Sequence, residues 1–255
     1  MNAAEAQNLL SDSDPFPVEH VNWKDPAPIL LLCEHAGRTI PENLDNLQLS
    51  EDTLLSHRAW DIGAEQLARL ISERLKAPLI IQRYSRLVID TNRPPGVPCS
   101  IPETSDGVVI PGNLNLTSRA KQDRVNEIFA PMDHLIETSL SQGIRACFSI
   151  HSFTSQMNGK QRPWHAGFLT RRSTETANAL MASISRQDPD LGLVLNEPYQ
   201  IEDESDWFIP RYAEALNLPH CLIEVRNDQI DHPDGVKHWA DLLADAIEGF
   251  TETLT

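Results

Sequence analysis

From about residue 28 onward the chain alternates between two hydrophobic rhythms. Short continuous apolar runs occur at 28–33 (PILLLC), 78–82 (PLIIQ), 86–90 (RLVID), 146–150 (ACFSI), 166–170 (AGFLT) and 220–225 (HCLIEV). Runs of this length, rich in β-branched residues, predict strands covered on both faces. Between them lie stretches with three-and-four spacing. Val125, Ile128, Phe129, Met132, Leu135 and Ile136 share one helical face, with Thr117 or Ser118 as N-cap, Gly143 beyond the end and Pro131 placed to kink the helix. A second helix is predicted over 62–76, where Ala64, Leu67, Ala68, Ile71 and Leu75 align and Asp61 can cap the start. Others fit 173–187, 206–217 and 235–250. Strands interleaved with helices predict an α/β fold with a mainly parallel sheet between helical layers.

The residues outside this rhythm are also informative. Residues 1–26 are polar, acidic and proline-containing, and read as an N-terminal arm that partly drapes over a single domain spanning 27–255. The segment 91–116 carries five prolines before Gly112 and little periodicity. Loops of that length within a compact domain are usually binding loops or lids, and 151–165 and 195–210 have the same character.

Charge narrows the partners. With 37 acidic against 21 basic residues the chain carries a formal charge of -16, which opposes binding to nucleic acid or anionic membrane surfaces. A small-molecule enzyme is expected, and an anionic substrate would need a local cluster of arginines. The N-terminus has neither a basic region nor a long apolar stretch, so a cytoplasmic protein is expected. Cys33, Cys99, Cys147 and Cys221 are far apart with no CxxC pair, and reduced, buried thiols are expected.

In open α/β sheets ligands sit beyond the carboxyl ends of the strands. Applied to the predicted strands, that rule selects Glu34 and His35, then Asp90 to Arg93, then His151 and Ser152, and finally Glu224 and Arg226. Two histidines at separate strand ends, with carboxylates nearby, have the donor types of a divalent-metal site with one position open. Glu224 sits within an apolar strand, where an unpaired charge is costly. It is either ion-paired to Arg226 or another arginine, or a general base tuned by burial. Arg86, Arg93, Arg162 and Arg226 lie beside the same strand ends and are candidates for bidentate binding of a carboxylate. The chain contains no GxGxxG after a strand, no GxxxxGK[ST] and no GxSxG, so dinucleotide, P-loop and serine-esterase chemistry lack their usual signals.

Seven phrases in order, CEHAGRTIP, HRAWDIGA, YSRLVIDTNRPPG, IPETSDG, IHSFTSQMNGKQRPWHAG, NEPY and IEVRND, resemble the N-formylglutamate amidohydrolase family over about 28–245. The resemblance implies a three-layer α/β/α domain with a mixed, mainly parallel, zinc-carboxypeptidase-like sheet. It implies hydrolysis of an N-formyl or N-acyl acidic amino acid, in amino-acid metabolism, with a divalent metal: zinc first, with cobalt, nickel or iron as alternatives. Carried over by position, His35 and His151 are metal ligands, with Asp61 as the third and Glu34 as its alternative. Glu224 is the base. Arg86, Asn92 and Arg93 hold the substrate carboxylates and developing charge, Arg86 and Arg93 counting as catalytic, with Ser152 and Arg226 as further substrate-binding residues, while Asp90 orients the arginines and Gly37 lets the backbone turn away. The forms CEHAG and AWDIGA resemble a broad branch of the family, which implies an N-acyl amino acid or similar amide. Two other readings stand beside this one: a catalytically silent small-carboxylate-binding protein, and a metallopeptidase for short peptides, whose cleft the 91–116 loop would narrow.

Overall fold

The computed structural model describes residues 8–24 and 27–254. Seven strands form one sheet: β1 (Val18–Val21), β2 (Ile29–Cys33), β3 (Leu79–Gln82), β4 (Ala146–Phe153), β5 (Ala166–Leu169), β6 (Leu193–Leu195) and β7 (His220–Arg226). Their order across the sheet is β1-β3-β2-β4-β7-β5-β6. The pairs β2/β3, β2/β4, β4/β7 and β5/β6 are parallel, whereas β1/β3 and β5/β7 are antiparallel. The sheet is therefore mixed and mainly parallel, as expected.

Side-chain alternation sends successive residues to opposite faces. One face, with Leu31, Phe148, Ile150 and Ile223, packs against α1 (Ala64–Leu75), α3 (Thr174–Gln187) and α4 (Pro233–Thr251) through Leu67, Ile71, Leu180 and Trp239. The other, with Leu30, Leu32, Cys147 and Leu222, meets Met132, Ile136, Phe208 and Tyr212. The first two of these lie on Ala130–Leu140, the last part of a helical run α2 that begins at Ser118–Arg124. Each Leu or Ile fully buried in these layers contributes roughly 2 kcal/mol. Thr117 caps the run, its hydroxyl accepting from Ala120 N–H at 3.1 Å. A wide π-helical stretch at Val125–Phe129 precedes Pro131 and accommodates the missing N–H.

Several expectations are corrected. Residues 86–90 form no strand: the Ser85 hydroxyl accepts from Leu87 N–H at 3.1 Å, which closes a turn. Leu87, Val88 and Ile89 instead fill a third apolar cluster with Tyr84, Ile110 and Ile128. The predicted helix at 206–217 reduces to Ile209–Ala213, which contains Pro210. Two strands of the seven-stranded sheet went unpredicted. β1 reads VEHV, an edge strand with Val18 buried and Glu19 paired to Arg69 and Arg83; β6 has three residues, too few to show a period. The described part of the arm lies against the domain, where Leu9 and Leu10 donate N–H bonds to the Glu127 carboxylate at 2.9 Å. Residues 1–7, 25 and 26 lie outside the described residues. Cys99 is exposed, whereas the other three cysteines are buried, and all four are free. Gly37 is required by a close approach rather than by a turn angle: a Cβ there would sit 1.9 Å from the Arg83 carbonyl oxygen.

Candidate active site

The chain leaves β2 towards β3 on one side and returns from β3 to β4 on the other, so the crevice between the carboxyl ends of β2 and β4 is a topological switch point. On the second face of the sheet the apolar positions turn polar as they near this end. Leu30 and Leu32 are followed by Glu34, Cys147 by Ser149 and His151, and Leu222 by Glu224. Glu224 stands opposite His151 in the β4/β7 register. Asp61 arrives from the loop before α1. Its backbone N–H donates to the His35 carbonyl at 2.9 Å, which fixes its place beside β2.

Asp61 does not cap α1 with its side chain. The N-cap is Gly63, and a Cβ there would lie 2.2 Å from the Ile230 carbonyl oxygen. The Asp61 carboxylate faces the site instead. Its Oδ2 is 2.9 Å from His151 Nδ1 and 3.5 Å from His35 Nδ1, and it accepts from Ser152 N–H at 3.2 Å. The other ring nitrogens meet further carboxylates: His35 Nε2 lies 2.7 Å from Asp90 Oδ1, and His151 Nε2 lies 3.1 Å from Glu34 Oε2. Ser149 braces that second pair, donating its hydroxyl to Glu34 Oε2 at 2.5 Å.

This pattern bears on metal binding. Histidine ligands of metals typically donate the remote N–H to a carboxylate, which turns the near lone pair to the ion. With Nε2–H given to Asp90 and Glu34, both Nδ1 lone pairs converge on the Asp61 carboxylate. The His35, Asp61 and His151 donor atoms all lie within 4.8 Å of one another. His35 Nδ1 is buried with no hydrogen-bond partner among the described residues. Three buried acceptors facing one another call for a cation between them, and the donor set suits a divalent ion with one position left open. The residues present fit a metal.

In the protein alone, the carboxylates draw positive charge onto His151 instead. Burial alone would raise the Asp61 and Asp90 carboxyls, yet both are held below the usual range, Asp61 by His35 and His151 and Asp90 by His35 and Arg86. Glu34 is lowered against burial by His151. The His151 imidazole is raised well above its ordinary value, Glu34 and Asp61 outweighing its desolvation. Glu224 behaves oppositely: burial pushes it up to about 7, and Asp61 adds to the rise. Its Oε2 has no hydrogen-bond partner and it forms no ion pair among the described residues. The ion-pair reading of Glu224 is therefore not realised.

The floor opens into a cavity of about 800 Å³ that is lined by His35, Asp61, Arg86, Asp90, His151 and Glu224. Arg86 forks between Asp61 at 3.3 Å and Asp90 at 3.1 Å. Among the described residues Arg93 makes only a 3.7 Å contact with Asp90, which leaves guanidinium donors facing the cavity. Asn92 and Ser152 also line it, but their side chains are engaged. Asn92 bonds Asp206 and Trp207 N–H, both at 3.3 Å, and the Ser152 hydroxyl donates to the Ile62 carbonyl at 2.9 Å. Arg226 is not brought to the cavity. It pairs with Asp228 at 2.7 Å and donates to the Pro163 and Trp164 carbonyls.

Sequence reasoning did not foresee Asp90 and Glu34 as partners of the two histidines, nor Tyr199 on the cavity wall, where Arg162 stacks over its ring at 4.8 Å. Both carboxylates stood at the selected strand ends, but Glu34 adjoins His35 in the chain and meets His151 in the fold, so sequence proximity could not show the pairing. Tyr199 ends the NEPY phrase, but its place on the wall depends on the path of the 195–210 loop.

Over residues 27–230 the sequence matches the N-formylglutamate amidohydrolase family. The fold is similar to that of a gene product of Agrobacterium tumefaciens, 32% identical with a TM-score of 0.88, over 95% of this chain and 99% of that one. It is also similar to the N-formylglutamate amidohydrolase of Ralstonia eutropha JMP134, 15% identical with a TM-score of 0.69, over 94% and 98% of the two chains. No protein of curated function matches this chain in sequence.

Proposed function

The chain belongs to the N-formylglutamate amidohydrolase family, a hydrolase of linear amides, and from that premise we propose that it releases the acyl group of an N-formyl or N-acyl acidic amino acid with a divalent metal bound. The observation that carries the reading is the convergence of His35 Nδ1, His151 Nδ1 and Asp61 beside a buried, unpaired Glu224. His35, Asp61 and His151 would hold the metal, zinc in the first instance. When bound, it supplies Lewis acidity toward the amide carbonyl and the attacking water.

The chain's own residues do the rest. Arg93, and the free edge of Arg86, hold the substrate carboxylate and orient the amide over the floor. Glu224, with its carboxyl near 7, takes a proton from water as the oxygen adds to the carbonyl carbon. It then gives that proton to the amide nitrogen as the C–N bond breaks, so that a carboxylic acid and a free amine leave. Asp90 and Glu34 keep the two imidazoles in the required tautomer and orientation.

Formate release from N-formyl-L-glutamate tests the reading, with the protein metal-replete, chelated and reconstituted. Turnover lost on chelation and restored by metal is expected. Absence of turnover on N-formyl and N-acetyl amino acids in the metal-replete protein would overturn it in favour of a small-carboxylate-binding protein. Among the described residues no helix is long and apolar enough to cross a membrane.

A further inference from the structure

Above its buried floor the cavity is bordered by two tight hairpins. Thr104–Ser105 pairs with Val108–Val109 across Asp106 and Gly107, and Gln156–Met157 pairs with Lys160–Gln161 across Asn158 and Gly159. In both turns the two central residues have positive φ, 43° and 77° in the first, 51° and 75° in the second. This is the two-residue geometry favoured by Asp-Gly and Asn-Gly, and it fixes register with little slack. Each hairpin is tied down by an arginine. Arg58 donates to the Asp106 carbonyl at 3.2 Å and pairs with its carboxylate at 3.3 Å, where His57 Nε2 also lies at 3.2 Å. Arg162 donates to the Tyr199 hydroxyl at 3.1 Å and reaches the Met157 sulfur at 3.0 Å.

These walls enclose more room than a formyl substrate uses. Clefts of roughly 300 to 1,000 Å³ take drug-sized ligands, and the cavity, at about 800 Å³, lies near the top of that range. An N-formyl amino acid is far smaller. At the rim His57 and Arg58 face Asp106, Glu202 adds a carboxylate, and Ser105, Met157 and Tyr199 offer neutral polar and apolar contacts. If the arginines at the floor take the carboxylate on the amine side of the scissile bond, the remaining space is available to the acyl side.

We infer that the two hairpin tips form an acyl-side subsite, and that the preferred substrate is an acidic amino acid whose nitrogen carries a neutral, peptide-like acyl group larger than formyl. The inference rests on the amide-hydrolase reading and on Arg93 as carboxylate anchor.

The test compares N-formyl-, N-acetyl- and N-acetylglycyl-L-glutamate. For metal-replete wild type kcat/KM is measured, and for Glu224→Gln the dissociation constant of each by calorimetry. From formyl to acetylglycyl, kcat/KM is expected to rise at least about tenfold and the dissociation constant to fall. Ser105→Trp, which fills the rim at a position of ordinary backbone geometry, is expected to lower the acetylglycyl-to-formyl ratio of kcat/KM by about tenfold. If that variant does not fold, Met157→Trp on the other hairpin carries the same expectation. A wild-type ratio at or below one, or a ratio that the folded tryptophan variant leaves in place, overturns the subsite and leaves the hydrolase reading intact. If nothing is hydrolysed, the hydrolase reading falls, and binding to Glu224→Gln decides the subsite: tighter binding of the longer ligand supports it, and equal or weaker binding overturns it.

Discussion

The two faces of β2, β4 and β7 share a backbone and differ by one residue of offset, yet they end differently. On the face that meets α1 and α4, Leu31 and Cys33, Phe148 and Ile150, and Ile223 and Val225 are apolar and buried in the core. On the other, Leu32 gives way to Glu34, Cys147 to Ser149 and His151, and Leu222 to Glu224, all buried. The same β-pleat thus separates stability from chemistry: one face continues the core to its limit, and the other exchanges its last layer for groups that are costly to bury. Neighbours in sequence such as Ile223 and Glu224 should fail in different ways when altered.

The largest expected effect is at Glu224. Glu224→Gln should lower kcat by about 10² to 10⁴, the usual range for a general acid–base group, with metal content retained. Near-normal turnover would remove Glu224 as the base. One residue earlier, Ile223→Ala should cost about 2 to 5 kcal/mol of stability, read as a lower melting temperature, while the folded variant keeps wild-type metal content. A reversal, with Ile223→Ala losing metal and Glu224→Gln unfolding, would break the comparison. Asp90→Asn retains shape but replaces the carboxylate 2.7 Å from His35 Nε2, so metal affinity should fall about 10- to 100-fold in a competition titration. An unchanged affinity would reduce Asp90 to an arginine partner.

The smallest effect is graded by pH. Glu224 must be ionised to take a proton, and burial pushes its carboxyl up to about 7. Below that value kcat/KM should fall about tenfold per unit. Stability shifts in the opposite sense. The unfolded carboxyl ionises near its ordinary value of 4.5 while the folded one resists, so a destabilising contribution grows from there up to about pH 7 and persists above. Metal-free Glu224→Gln should therefore melt higher than metal-free wild type at pH 8 and about equally at pH 4. A flat difference between these pH values would remove the assigned carboxyl shift.

Much of this was legible in the chain, and the residues show why. The buried strands ILLLC and HCLIEV could be read because both faces near the centre are apolar, and His35, His151 and Glu224 could be read because they interrupt or end those runs. RLVID misled, because the same β-branched run can pack beneath a loop, and only the Ser85 turn decides which. β1 was missed because an edge strand needs only one buried flank, which Val18 provides and a four-residue period cannot reveal. Asp61 was expected either at the crevice or as a helix cap, and only tertiary contacts with His151 and Ser152 turn its carboxylate to the crevice. Arg226 misled for the same reason: its position at a strand end was right, and the carbonyls of 162–164 turn it aside.

The central claim is that His35, Asp61 and His151 form a three-donor metal centre that amide hydrolysis requires. The most direct test measures metal bound per chain for wild type and His35→Ala, both confirmed folded by circular dichroism, beside formate release from the same samples. About one metal per wild-type chain, a large loss in the variant and a parallel loss of hydrolysis are predicted. A wild-type protein that is folded, metal-free and still hydrolyses the amide, or a His35→Ala variant that binds metal as tightly as wild type, would contradict it.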